Sequence, residues 1–311
     1  MALRDWSLQT LSEANALMPL PEAMAEGAAA VEQILDEVLA VPQGHEARLF
    51  EAMRYASLDG GKRLRPFLTL ECARLFNTPD SYSLRAGIAV ELIHCYSLIH
   101  DDLPAMDDDD LRRGKPSCHI AFDEATAILA GDALQAMAFE ILADKATHPD
   151  AEVRAALVKG LAIASGGNGM VGGQMIDLAA EHSDADVSTV TRMQRLKTGA
   201  LISFSCESGA IVGRASDEAR QALLHYAHDL GLAFQIADDL LDVLGTSEDV
   251  GKAIQKDEAA GKATFVSLLG VSEAQERAQF LTEQAIARLD MFGEKAAHLR
   301  AIANFVVQRR T

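Results

Sequence analysis

The sequence predicts an all-α protein, a bundle of roughly ten or more helices joined by short connections. Three observations carry this. Apolar residues recur at three- and four-residue spacing almost throughout, strict alternation over more than four residues is scarce, and the chain is poor in turn residues. Among 311 residues, 49% are hydrophobic and only 22 are Gly and 8 Pro, enough for a large core and too little turn material for many strands.

The periodic runs can be taken in order. Val31, Ile34, Leu35, Val38 and Leu39 form an early helical stripe. Leu84, Ile88, Leu92 and Ile93 form a second, and Leu223, Leu224, Leu230, Leu232 and Ile236 a third. The breaks are brief: 42–44, Gly60-Gly61, 77–80, 114–116, 166–169 and Gly172-Gly173. No linker, low-complexity tract or repeat divides the chain, so residues 1–311 read as one domain.

Charge and cysteine usage narrow the function. The formal net charge is −18, the opposite of what a nucleic-acid binder needs. An acidic protein that binds anions must do so through local cations or metal ions. Cys72, Cys95, Cys118 and Cys206 form no CxxC pair and read as free thiols. The N-terminal region holds Arg4, Asp5, Glu13 and Glu22 with no apolar leader. No stretch approaches the roughly 18 consecutive apolar residues that span a bilayer. A cytoplasmic protein without a stable membrane anchor is the expectation.

Two acidic clusters stand out. The first, Asp101-Asp102-Leu103-Pro104-Ala105-Met106-Asp107, continues into Asp108, Asp109 and Asp110 and closes an apolar run, Leu92 to Ile99. Acidic runs are usually solvated helix ends, but this one leads into Arg112-Arg113-Gly114-Lys115 and has a counterpart. That counterpart, Asp238-Asp239-Leu240-Leu241-Asp242, lies between Phe234–Ala237 and Val243-Leu244. Asp238 and Asp242 are four apart and share a helix face, where like charges repel unless a cation lies between them. Asp101 and Asp107 are six apart, about 240° around a regular helix. A two-residue bulge at Pro104 would reduce that to about 40°. Mg²⁺ takes carboxylate oxygens and completes its shell with water and phosphate oxygens, so two such pairs could hold a polyphosphate. Gly60-Gly61-Lys62-Arg63-Leu64-Arg65-Pro66 adds cations after a glycine pair without Walker A spacing. His94 lies on the apolar helix before Asp101 and reads either as structural or as part of this end.

At these residues the chain resembles the short-chain trans-isoprenyl diphosphate synthases, and among them the bacterial farnesyl diphosphate synthases. The resemblance covers roughly residues 25 to 305. It rests on the ordered motifs GGKRLRP at 60–66, HCYSLIHDDLPAMDDDDLRRGKP at 94–116, GMVGGQMIDL at 169–178, RLKTGAL at 195–201, FQIADDLLD at 234–242, and GK at 251–252 and 261–262. It implies the isoprenoid synthase helical bundle with a central active-site cavity, usually a homodimer. It implies condensation of isopentenyl diphosphate with dimethylallyl or geranyl diphosphate to give trans-farnesyl diphosphate. Geranylgeranyl or geranyl synthesis on the same fold is the alternative; a terpene cyclase or a non-catalytic helical partner subunit fits these motifs less well.

Residue by residue, the resemblance implies that Asp101, Asp107 and Asp238 bind three Mg²⁺ ions on the allylic diphosphate, with Asp102 and Asp242 in support. Arg112, Lys197 and Lys252 would contact that diphosphate, with Lys262 assisting and Thr198 and Gln235 beside the allylic group. Gly61, Lys62, Arg65, His94 and Arg113 would hold isopentenyl diphosphate. Gln174 and the Lys197-Thr198 turn would stabilise the allylic cation, and Tyr96 and Ser97 would set chain length. Gln255 stands where a glycine is expected, which leaves open whether Lys252 or Lys256 is the closer contact. Arg309-Arg310 reads as a frayed basic tail or a closing arm.

Overall fold

The computed structural model describes residues 18–58, 60–180, 186–244 and 264–308. Fourteen α-helices account for most of them. In order they are α1 (Leu20–Val38), α2 (Ala47–Ser57), α3 (Leu64–Arg74), α4 (Asp80–Asp101), α5 (Cys118–Ala121), α6 (Glu124–Ala143) and α7 (Ala151–Ser165). Then follow α8 (Met170–Ala180), α9 (Val187–Gln194), α10 (Ala200–Val212), α11 (Asp217–Leu244), α12 (Phe265–Leu269), α13 (Val271–Ala287) and α14 (Ala297–Gln308). A five-residue π-helical turn, Arg195–Gly199, joins α9 to α10. The sequence reading had no strands. The structure adds one small hairpin, β1 (Leu111–Arg112) antiparallel to β2 (Lys115–Pro116).

Helix starts follow local chemistry. Asp123, Asp150 and Asp186 each accept a backbone N–H at the head of α6, α7 and α9. Thr264 and Ser267 form a reciprocal capping box on α12.

α4 is the central helix. Ile88, Leu92 and Ile93 are fully buried, and α3, α6 and α10 pack around it. Leu134 and Ile141 of α6, Leu157 and Leu161 of α7, and Leu201 and Phe204 of α10 complete this core. Truncating one such Leu to Ala costs about 2–5 kcal/mol. A second cluster joins Phe67 and Leu68 of α3 to Tyr226 of α11 and Leu299 and Ile302 of α14. The Tyr226 hydroxyl donates to the Leu299 carbonyl at 2.8 Å, which satisfies the one polar atom on that buried ring. All four cysteines are buried and free.

α6 differs from the sequence expectation. It has 20 residues and is long and apolar enough to cross a membrane by length and composition. In the fold it lies along α4 as a core helix, with Ala127, Ala130, Leu134 and Ala138 buried.

Candidate active site

The first acidic cluster forms where α4 stops. The helix ends at Asp101, and Pro104 has no N–H with which to continue it. The chain folds over itself instead. Leu103 O accepts from the N–H of Met106 at 2.8 Å and of Asp108 at 3.2 Å, and the Asp107 N–H donates to Asp101 O at 2.9 Å. Asp107 therefore returns beside Asp101. The expected bulge inside a continuing helix is replaced by a helix end and a tight turn, which achieve the same approach. Burial pushes the Asp101 carboxyl up to about 6; the neighbouring Asp107 and Asp102 charges add to this, and Lys197 and Arg112 oppose it.

Asp102 behaves differently from its neighbours. It is 2% exposed and turned toward Arg112, whose Nε lies 3.0 and 3.2 Å from its two oxygens and whose terminal nitrogen adds a further bond. Burial raises its pKa and this guanidinium opposes the rise. The pair ties the hairpin to the end of α4.

The hairpin separates its two arginines. Arg113 and Gly114, with φ of 53° and 75°, occupy the two central positions of the turn, as a two-residue type I′ connection requires. Arg112 thus faces the acidic turn, while the Arg113 guanidinium packs against Gly60 and Gly61. A Cβ at Gly60 would overlap that guanidinium, so the glycine pair is a seat for Arg113.

The cations of the 60–66 segment divide into two kinds. Arg63 is buried and bonded to Glu91 at 2.7 Å, to Glu32 at 2.9 and 2.5 Å, and to the Ser57 carbonyl. It is a structural charge, neutralised from two sides. Arg65 is instead partly buried, and its Nε is buried with no hydrogen-bond partner. Burial lowers its pKa, Arg113 adds to that, and Glu91 and Asp238 oppose it. Burial also drives His94 well below its ordinary value, with Arg65, Arg113, Arg63 and Arg112 behind it, so its imidazole is neutral at pH 7. Arg65 and Arg113 thus form a cationic pair next to the neutral His94 of α4. Lys62 lies at its edge, 5.0 Å from the Phe305 ring of α14.

The π-helical turn supplies the third part. Its wider ring carries Lys197 and Thr198 and packs so tightly on α8 that a Cβ at Gly173 would strike the Lys197 backbone. Lys197 Nζ donates to Asp177 at 2.5 Å. Beside it on α8, Gln174 is buried and neither atom of its amide has a hydrogen-bond partner. Thr198 donates to Gln235 Oε1 at 3.4 Å, and Gln235 Nε2 donates to Asp239 at 2.9 Å. Asp239 is 3% exposed and also accepts the Phe265 N–H at 2.8 Å, which anchors α12. Asp238 and Asp242 remain four apart on the unbroken α11, both half-buried.

The structure therefore brings Asp101, Asp107, Arg112 and Lys197 together, and Thr198 beside Gln235, one turn before Asp238. Tyr96 is buried, and Ser97 is half-buried and donates to the His94 carbonyl at 2.9 Å. Lys252, Lys262, Lys256, Arg309 and Arg310 lie outside the described residues. Among the described residues, no three His, Cys, Asp or Glu side chains stand close enough to hold a metal ion by themselves. Sequence reasoning missed Asp177, although its place three residues after Gln174 puts both on one helix face. It also missed the Glu32–Arg63–Glu91 group, whose members are far apart in sequence.

Comparison with known proteins gives concordant results. Residues 46–302 match the family model described as polyprenyl synthetase. The chain is 45% identical over 271 residues to farnesyl diphosphate synthase of Haemophilus influenzae, covering 86% of this chain and 91% of that protein. It is 43% identical over 300 residues to farnesyl diphosphate synthase of Escherichia coli, covering 94% and 99%. A solved FPP/GFPP synthase from Zymomonas mobilis superposes with a TM-score of 0.85 at 53% identity, covering 93% of this chain and 98% of that one.

Proposed function

This chain belongs to the polyprenyl synthetase family, and we propose that it condenses isopentenyl diphosphate with dimethylallyl or geranyl diphosphate to give trans-farnesyl diphosphate. The observation that carries the site assignment is the meeting of Asp101 and Asp107 with Lys197, while the adjoining Thr198 reaches Gln235, one turn before Asp238. An allylic diphosphate held between the two acidic pairs would have its leaving group among carboxylates, Lys197 and Arg112.

The residues present fit magnesium. Asp101 and Asp107 are crowded, partly desolvated carboxylates, and Asp238 and Asp242 repeat like charge on one helix face. Oxygen donors that need a cation and leave room for phosphate and water suit Mg²⁺. When bound, the ions, three in this reading, neutralise charge developing on the departing diphosphate. Asp101, Asp107 and Asp238 would hold them, with Asp242 in support and Asp102 acting through Arg112. Lys252 and Lys262, outside the described residues, belong to the same reading.

The chain's own groups account for the rest. Arg65, Arg113, His94 and Lys62, with the turn at Gly61, would bind isopentenyl diphosphate, and the unpartnered Arg65 Nε supplies a donor for a phosphate oxygen. As the allylic C–O bond breaks, its electron pair leaves with diphosphate. The Gln174 amide oxygen and the Thr198 hydroxyl would face the carbon cation. The isopentenyl double bond attacks that carbon, which leaves a cation on the isopentenyl unit, and the proton lost from the carbon next to that cation restores an alkene and goes to the released diphosphate. Closure must exclude water, which would trap the cation.

The reading further takes the chain as one cytoplasmic domain without a stable membrane anchor, assembled as a homodimer. Single-domain organisation is supported by α3 and α10, which contribute to two core clusters each. Dimerisation is supported by exposed Ile128, Leu129, Ile163, Val171 and Met175 on α6, α7 and α8. A longer product is a second reading, favoured by the FPP/GFPP description of the Zymomonas mobilis protein. The test is incubation of purified protein with labelled isopentenyl diphosphate, each allylic diphosphate and magnesium. Fifteen-carbon product, abolished reversibly by EDTA, is expected; absence of labelled prenyl product would refute the function.

A further inference from the structure

The seam between α4 and α6 holds a side chain to which the site assignment gave no role. His100 lies one residue before Asp101 and four after Tyr96, so it shares the Tyr96 face of α4. Its ring meets the Tyr96 ring edge to face, with centroids 5.6 Å apart and planes at 77°. Its Nε2 lies 3.2 Å from the Ile128 carbonyl of α6. A carbonyl only accepts, so Nε2 carries the proton. Beneath the ring is Gly131, where an added Cβ would overlap three of the imidazole atoms. The imidazole occupies the space that any other residue at 131 would fill. It is therefore seated by a notch, a hydrogen bond and an aromatic contact.

A prenyl chain whose diphosphate is held at Asp101 must grow back along α4, past Tyr96. Tyr96 is 4% exposed, and its ring can block that route only while it keeps its orientation. His100 is the aromatic neighbour that restricts it. We propose that His100, wedged over Gly131, is a positioning residue for product length: it holds the Tyr96 ring across the path of the growing chain and so sets where elongation stops. The proposal rests on the prenyltransferase reading above and deepens it.

Two features of His100 can be separated, the ring that touches Tyr96 and the donor that reaches Ile128. His100→Ala removes both. His100→Asn keeps a donor and loses the ring, and it protects the α4–α6 tether if the alanine variant folds poorly. His100→Phe keeps a flat ring over Gly131 and loses the donor. The experiment is chromatography of dephosphorylated products from the wild type, these three variants and Tyr96→Ala, with circular dichroism to establish folding.

If the ring sets length, His100→Ala and His100→Asn raise the ratio of twenty- to fifteen-carbon product about tenfold, equivalent to ~1.4 kcal/mol between stopping and continuing. His100→Phe restores the fifteen-carbon product, which a general packing defect would not do. Wild-type product from folded His100→Ala and His100→Asn, alongside lengthened product from Tyr96→Ala, would overturn this proposal and leave the enzyme reading intact. A wild type that makes no prenyl product would overturn both.

Discussion

The two acidic clusters share a pattern of three aspartates but differ in backbone. At Asp238–Asp242 the α11 helix runs straight through, and the four-residue spacing alone puts the outer two carboxylates on one face. At Asp101–Asp107 the α4 helix ends, and a turn closed by the Asp107 N–H on the Asp101 carbonyl brings the outer two together. In both clusters the second aspartate is the buried one and is committed elsewhere. Asp102 holds the hairpin through Arg112, and Asp239 holds α12 through the Phe265 N–H. One pattern thus combines two half-buried carboxylates with one that ties down the segment that follows.

The strongest way to break this comparison is to remove an outer carboxylate from each cluster. Asp101→Ala and Asp238→Ala should each lower kcat about 10²–10³-fold or more, the scale of losing a group aimed at transition-state charge. Both variants should keep wild-type circular dichroism. Near-normal turnover in either would show that its cluster is not part of the site.

Changing the middle aspartates should instead be read in stability. Asp102→Ala leaves Arg112 half-buried without its carboxylate, at a cost of about 3 kcal/mol. Asp239→Ala leaves the Phe265 N–H unpaired, at about 1–3 kcal/mol. Urea titration would measure both, and melting behaviour equal to wild type would contradict the anchoring roles.

The two arginines of the hairpin sharpen the comparison further. Arg113→Ala should raise KM for isopentenyl diphosphate about tenfold, a loss of ~1.4 kcal/mol. Gly60→Ala should reproduce that effect without touching a charge, because the new Cβ takes the place of the guanidinium. Arg112→Ala should act mainly on the allylic substrate and on kcat. Steady-state kinetics with each substrate varied in turn would detect identical profiles, which would dissolve the distinction.

The smallest effect is a control at a residue outside both clusters. His298 is buried with Nδ1 2.9 Å from Glu71 and Nε2 2.9 Å from the Met18 carbonyl, two acceptors that favour the doubly protonated ring. The Glu71 carboxylate raises its pKa first; the Met18 carbonyl adds to this, while burial and Arg74 oppose it. A raised folded-state pKa means that this contribution is fully present below the unfolded value, ordinarily about 6.5. It is lost as pH rises through the folded value. Stability of the wild type should therefore decline over that range relative to His298→Gln, and parallel pH profiles of urea midpoints would exclude the linkage.

Legibility from sequence tracked the range of each interaction. The Asp238–Asp242 pair was legible because helix periodicity is local. Asp101 and Asp107 were recognised as a pair, but the expected bulge proved to be a helix end, since a proline permits either. Arg63 and Arg65 looked equivalent in one short motif. They were separated by Glu91, 28 residues further on, which neutralises one and leaves the other facing the site. Asp177 was hidden because its partner Lys197 is 20 residues away across a helix boundary.

By itself, then, the sequence determined the all-helical class, the order of its motifs and the face shared by Asp238 and Asp242. These follow from residue spacing along the chain and from the scarcity of turn residues. Only the tertiary structure decided which aspartate of each triple turns away, which arginine is spent on structure, and where His100 and Lys197 come to rest. His100 and Lys197 owe their places to close approaches at Gly131 and Gly173, and Asp102, Asp239 and Arg63 owe theirs to Arg112, the Phe265 N–H and Glu91; no local pattern records which element supplies each partner.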